Sequence, residues 1–309
     1  MVTTEGVITA VFPELDGVWL QDPESDGSAA TSDAIFVLTD GLSAEPAAGQ
    51  RVQVAGVVRE MSGQTTLDTT ITTDIVPLAA GETLPEPLRH APPADEAAAL
   101  LYNEAREGML VTVPETAGVV APTTRFGEFA VLPLSLWQDQ VRRSAPGGSL
   151  IIVNDGSSVS HDDQTTQPIV VTVGDTISGL VGPLAYSFGN FKIEPIQEVA
   201  VVAGTIDFAP LPEWPTNQLA IATFNVENLF DTVTPHPSSP PRPSTDEFEV
   251  KLAKLAAAIV AMGAPDIIGL QEVENIETLS TLLLDDSLAG FGYTPYMIEG
   301  GDSRRIDVA

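Results

Sequence analysis

The chain has 309 residues, with 13 Lys+Arg against 43 Asp+Glu and a formal net charge of −30. So negative a field repels phosphate backbones and excludes a non-specific nucleic-acid binder held by charge alone; an enzyme acting on phosphodiesters stays open only if divalent cations and a local basic patch offset the field. The absence of cysteine excludes disulfides and thiolate metal sites, and 25 Gly with 25 Pro suit short strands joined by turns, spread over two or three modules rather than one core.

The N-terminal MVTTEGVITAVF runs straight into an alternating strand pattern, with no charged-then-apolar export segment ahead of it. The first module is expected over residues 3–77. Strand-like runs fall at Gly6–Phe12, Gly17–Gln21, Ala34–Leu38, Arg51–Glu60 and Gln64–Thr70, punctuated by Gly, Asp and Pro. Five short strands in this length predict a small Greek-key barrel of the OB type. Between the second and third runs, Asp22, Glu24, Asp26 and Gly27 follow D-x-[DE]-x-D-G, with Asp33 where a calcium loop places its last ligand. Ca²⁺ is one reading of this loop. The other is an acidic loop without metal, since Pro23 and Glu24 depart from the pattern and no helices flank it. The aromatics Phe12, Trp19 and Phe36, with Arg51 and Arg59 nearby, serve either as core or as a platform for stacked bases.

Residues 78–107 read as a connector, proline-rich from Leu84 to Pro93 and helical over DEAAALLYNEAR from Asp95. A second module follows at 108–204, and it repeats the first. GQRVQVAGVVREMSGQTTL from Gly49 aligns with VGDTISGLVGPLAYSFGNFKI from Val173, pairing Gly49 with Gly174, Gly56 with Gly182 and Gly63 with Gly189. IFVLTDG from Ile35 has its counterpart in IIVNDG from Ile151. Glycines at matched places imply the same bends in two related β-barrels.

A proline-bearing linker at 205–217 leads into a module of different texture, 218–309. Here the order is strand (LAIATFNVENLF), proline-rich loop, helix, strand (DIIGLQEVE), helix, strand (RRIDVA). Ser244 and Glu247 form a capping box at the start of the first helix. Phe248, Leu252, Leu255, Ile259 and Met262 then mark one buried face. Strand–helix–strand at this spacing opens an α/β layered domain. The most apolar run, LAAAIVAMGAPDIIGL, is interrupted by Gly263, Pro265 and Asp266, so no membrane span is expected.

Two segments carry the chemistry: TFNVENLFD at 223–231 and PDIIGLQEVEN at 265–275. Together, in this order and around a capped helix, they resemble the first two motifs of the endonuclease/exonuclease/phosphatase superfamily, the DNase I-like fold. The resemblance implies that Asn225 and Glu272 lie side by side as catalytic residues and metal ligands at the sheet edge. Glu272 would hold Mg²⁺ or Mn²⁺, and Asn225 would orient the phosphate or a metal-bound water. DSRRIDVA, from Asp302, resembles a third motif in which Arg304 contacts the substrate phosphate or else remains a surface arginine; Arg305 stands where the family carries glycine. The barrels ahead of these motifs resemble those of large bacterial extracellular nucleases.

The expected fold class is therefore multidomain β and α/β: two small OB-like β-barrels followed by the opening part of a DNase I-like α/β sandwich. The expected function is a secreted, metal-dependent phosphodiesterase whose partner is a DNA or RNA substrate, with no feature pointing to a protein partner. Two alternatives stand beside it: a phosphoesterase acting on phospholipid or inositol phosphate, and a secreted scaffold or adhesion protein with an inactive nuclease-like domain. None of His90, His161 and His236 has a catalytic setting, the superfamily's Asp-x-Asn and Asp-His motifs are missing, and the chain stops within an apolar strand. Truncation, with loss of activity in this chain, is the corresponding expectation.

Overall fold

The computed structural model describes residues 1–39, 46–69, 75–137, 147–161, 164–205, 217–233, 242–298, 300–301, 303 and 305–309. Contacts divide the chain into two compact units, Met1–Asp207 and Phe208–Ala309.

The first unit opens with strands β1 (Val2–Phe12), β2 (Gly17–Gln21), β3 (Ala34–Leu38), β4 (Arg51–Met61), β5 (Gln64–Asp68) and β6 (Ile75–Ala79). Their order is β1-β2-β3-β5-β4-β6, and the extra β1–β4 pairing closes a five-stranded ring. Its interior is apolar, with Ile8, Val18, Leu20, Val37, Val52, Val54 and Leu67 buried together. Next come β7 (Leu88–Arg89) and helix α1 (Glu96–Glu104), whose N-cap Asp95 accepts a hydrogen bond from the Ala98 N–H at 2.9 Å.

The second sheet comprises β8 (Leu110–Val113), β9 (Ala117–Ala121), β10 (Phe129–Pro133), β11 (Ile151–Val153), β12 (Thr176–Ser178), β13 (Leu180–Ser187), β14 (Asn190–Ile193) and β15 (Ala200–Val202), with β7 at one edge. Its pairings repeat those of the first ring. β3 runs parallel to β5 as β11 does to β14, and the β4–β5 hairpin has its counterpart in β13–β14.

The matched glycines explain the repeat. At Gly56 a Cβ would lie 2.8 Å from the Asp68 carbonyl oxygen, and at Gly182 only 1.9 Å from that of Glu194, so both strands pass too close to a partner backbone for any side chain. Gly63 and Gly189 each close a two-residue hairpin in a left-handed conformation, at φ 89° and 84°. The ring and the second sheet also share a small core, in which Trp19 and Phe36 of the ring meet Ala185 of the sheet. These aromatics are thus packing residues, buried and set edge to face at 5.0 Å.

In the second unit, β16 (Ile221–Leu229) and β17 (Ile267–Val273) pair in parallel, and β18 (Asp307–Val308) adds antiparallel to β17. Helix α2 (Thr245–Ala261) follows the expected capping box: the Glu247 N–H donates to the Ser244 hydroxyl, and the Ser244 N–H donates back to the Glu247 carboxylate at 2.7 Å. Leu252, Leu255 and Ile259 of α2, with Leu279 and Leu282 of α3 (Ile276–Leu282), bury one face of the sheet around Leu229, Leu270 and Val273. The sheet's other face leaves Ile221, Ile267 and Val308 exposed. The last strand is shorter than the expected RRIDVA run, and residues 302 and 304 lie outside the described residues.

Candidate active site

Parallel strands end their apolar runs together, so polar residues just beyond those runs gather at one edge, where open α/β sheets place their ligands. Here the register sets Asn225 opposite Gln271, then slips by a bulge until Leu229 faces Val273. A second irregularity separates Gln271 from Val273 on the side facing β18. These bulges put Glu227 and Asn228 at φ 51° and Glu272 at φ 68°, a left-handed region costing non-glycine residues roughly 1–2 kcal/mol each. Strain of this kind concentrates where a site requires it.

The geometry brings Asn225 and Glu272 together. The Asn225 Nδ2 donates to Glu272 Oε1 at 3.0 Å, while the Asn228 N–H donates to Oε2 at 2.9 Å. Asn225 Oδ1 accepts from the Glu227 N–H at 2.8 Å, which fixes the amide's orientation. The amide oxygen therefore tightens the bulge, and its nitrogen aims the carboxylate. These bonds hold the Glu272 carboxylate at the end of the strand pair.

Three supporting groups were not singled out from the sequence. Lys251, from α2, donates through Nζ to the Glu227 and Asn228 carbonyls and so pins the strained bulge. Burial lowers its pKa, against the opposing pull of Glu227 and Glu272. Asp231 receives the Arg242 guanidinium at 3.2 Å and the Asn275 amide at 3.1 Å. Glu274 accepts from the Asp231 N–H at 2.7 Å, tying the exits of β16 and β17 together. A signal for Lys251 did exist, since it sits three residues after Phe248, beside the apolar stripe.

Among the described residues at these strand ends, Glu227, Asp231, Glu272 and Glu274 outnumber Lys251 and Arg242, a local excess of negative charge that a divalent cation would balance. Among the described residues no three His, Cys, Asp or Glu side chains converge into a metal cage. The donor set instead suits Mg²⁺, which commonly takes one or two carboxylates and completes its shell with water and substrate phosphate. Arg304 lies outside the described residues. Arg305, where the resembled motif carries glycine, adopts φ 56°, so the backbone keeps the glycine-like conformation despite the side chain.

The acidic loop of the first unit is organised differently. Asp22 accepts from the Glu24 N–H, Asp26 from the Ser28 N–H and the Thr31 hydroxyl, and Asp33 from the Asp26 N–H. Asp22, Asp26 and Asp33 thus cap their own turns. Of the histidines, His90 is buried with its pKa lowered to about 4 by desolvation and then by Arg106. His161 bridges Asp155 at 2.9 Å and Thr166 at 2.8 Å, and His236 lies outside the described residues.

Residues 220–309 match the model of the "Endonuclease/Exonuclease/phosphatase family". Residues 61–204 match a family described as "Domain of unknown function (DUF8508)". No curated protein and no solved structure matches the chain. The C-terminal match supports the endonuclease/exonuclease/phosphatase superfamily and so suggests a hydrolase of the phosphodiesterase type. No helix among the described residues is long and apolar enough to cross a membrane.

Proposed function

We propose that the C-terminal unit is the catalytic module of a divalent-metal-dependent phosphodiesterase acting on nucleic acid outside the cell, and that the rings ahead of it are OB-type barrels. The observation that carries this reading is the Asn225–Glu272 contact at the carboxyl end of two parallel strands, held on a strained bulge. Glu272 would supply the carboxylate ligand to Mg²⁺ or Mn²⁺, with Asn225 and the Asn228 N–H aiming it. When bound, the cation would polarise the phosphate and neutralise charge developing in the transition state. Lys251 keeps the bulge in place from beneath, and the laced Asp231–Glu274–Asn275 group fixes the loops on either side. The ring order β1-β2-β3-β5-β4 supports the OB reading, and the order of modules favours nucleic acid over phospholipid or inositol phosphate.

The test is Mn²⁺ binding followed by electron paramagnetic resonance, with dinucleoside monophosphates, inositol phosphates and phospholipid vesicles added in turn. One Mn²⁺ lost selectively in Glu272→Gln, with a signal perturbed by the dinucleotide alone, is the expected result. Equal Mn²⁺ binding in Glu272→Gln defeats the metal assignment; a response only to inositol phosphate or vesicles defeats the substrate assignment.

A further inference from the structure

The N-terminal unit contains a cavity of about 590 Å³ between its first ring and its second sheet, a volume within the range of small-molecule sites. Its walls are apolar and aromatic, with Phe36 and Leu38 from the ring and Phe126, Tyr186 and Phe188 from the second sheet and its loops. Its floor is polar: Lys192, Glu128 and Glu194.

Lys192 is 2% exposed, and among the described residues its ammonium donates one side-chain hydrogen bond, to Glu128. An ammonium carries three donors, so capacity remains for an acceptor entering the cavity. The charges of the floor nearly cancel. Glu128 balances Lys192, while burial pushes the Glu194 carboxyl up to about 7, against the Trp19 N–H and Lys192. An anionic ligand would meet Glu128 and Glu194, and a cationic one would have to displace Lys192. The floor therefore selects an uncharged ligand bearing acceptors.

Phe188 supplies the second observation. It is 92% exposed, holds φ 50° at the tip of the β13–β14 hairpin, and places its ring 5.2 Å from Lys192 Nζ. Its counterpart in the first ring, Ser62 at φ 54°, also lines the cavity. Folding gains nothing from an exposed phenylalanine at a position that favours glycine or asparagine. A ring held there over an aromatic cavity is suited to stacking.

We propose that this cavity binds an uncharged planar heterocycle with carbonyl or ring-nitrogen acceptors, the chemistry of a nucleobase, with Lys192 donating to its edge and Phe188 covering its face. The proposal stands on the cavity and is independent of the hydrolase reading. It is tested on the whole chain by ligand-detected magnetic resonance and calorimetry with adenosine, guanosine, cytidine and thymidine, then with short single-stranded oligonucleotides.

At least one nucleoside should bind saturably and weaken about tenfold in Phe188→Gly, the order of loss expected for one stacking contact. That substitution suits the turn, so the circular dichroism and melting of the variant should match wild type. Lys192→Met should weaken the same nucleoside. Tighter binding of an oligonucleotide assigns the site to a base within a strand, and equal or weaker binding assigns it to the free nucleoside. No saturable binding of either, binding unchanged in Phe188→Gly, or toluene binding as tightly as the nucleoside would each overturn the proposal.

Discussion

Glu194 makes a quantitative demand on the N-terminal unit. Its carboxyl is 4% exposed, accepts from the Trp19 indole at 3.1 Å, and titrates at about 7 instead of 4.5 because burial penalises the charged form. The folded state thus holds its proton more tightly than the unfolded state. The resulting stability is complete below the unfolded value, falls as pH rises through the folded value, and is gone above it. A shift of this size corresponds to about 3 kcal/mol at 1.36 kcal/mol per unit. Glu107, buried and likewise raised to about 7 by desolvation, acts in the same window, and so does repulsion within a chain of net charge −30. The informative quantity is therefore a difference between variants. Glu194→Gln keeps an acceptor for Trp19 but cannot ionise. Urea unfolding at pH 4.5, 6, 7 and 8, followed by tryptophan fluorescence, should show wild type losing about 3 kcal/mol relative to Glu194→Gln between the ends of the series. Parallel stability curves for the two proteins would refute the argument that Glu194 is buried in its neutral form.

Three further outcomes follow from particular contacts. Gly182→Ala places a Cβ 1.9 Å from the Glu194 carbonyl, a backbone atom that cannot swing aside, so about 2 kcal/mol or more should be lost in chemical denaturation. Ser244→Ala breaks the capping box of α2 and should cost the C-terminal unit about 1 kcal/mol, read as faster amide hydrogen exchange in the first turn of the helix. Lys251→Met releases the Glu227 and Asn228 carbonyls and should weaken Mn²⁺ binding at Glu272 severalfold while the helix remains; unchanged affinity would show that the bulge holds itself.

Much of this architecture was legible because glycine leaves unambiguous marks. Gly56 and Gly182 lie too close to a partner backbone for a side chain, and Gly63 and Gly189 hold left-handed turn positions that favour glycine, so the repeat could be aligned before any strand was paired. The Asn225–Glu272 contact was legible for a different reason. It followed from the resemblance of the two segments to the superfamily's first motifs, and the parallel register of β16 and β17 is the physical reason that both side chains reach one sheet edge. The bulges at Glu227 and Glu272 were not legible, because glutamate does not advertise a positive φ, and Asn228, which tolerates one, does not by itself locate a bulge.

The floor of the cavity shows where periodicity stops informing. In β14 Ile193 is wholly buried in the second sheet's core, so alternation sends Lys192 and the adjoining Glu194 to the other face, which an uncovered sheet would leave to water. In β2 the same rule puts Val18 and Leu20 in the first ring's core and turns Trp19 outward. Each reading is correct for its own sheet. The outer faces are then pressed together, and Trp19 meets Glu194 across a separation of 175 residues. Burial of these polar groups is decided by the packing of two repeats, a relation that no pattern within either strand encodes. Two sheets of matching strand order can therefore enclose a cavity that neither forms alone: strand residues free to carry charge on an uncovered sheet line that cavity once the second sheet packs over them.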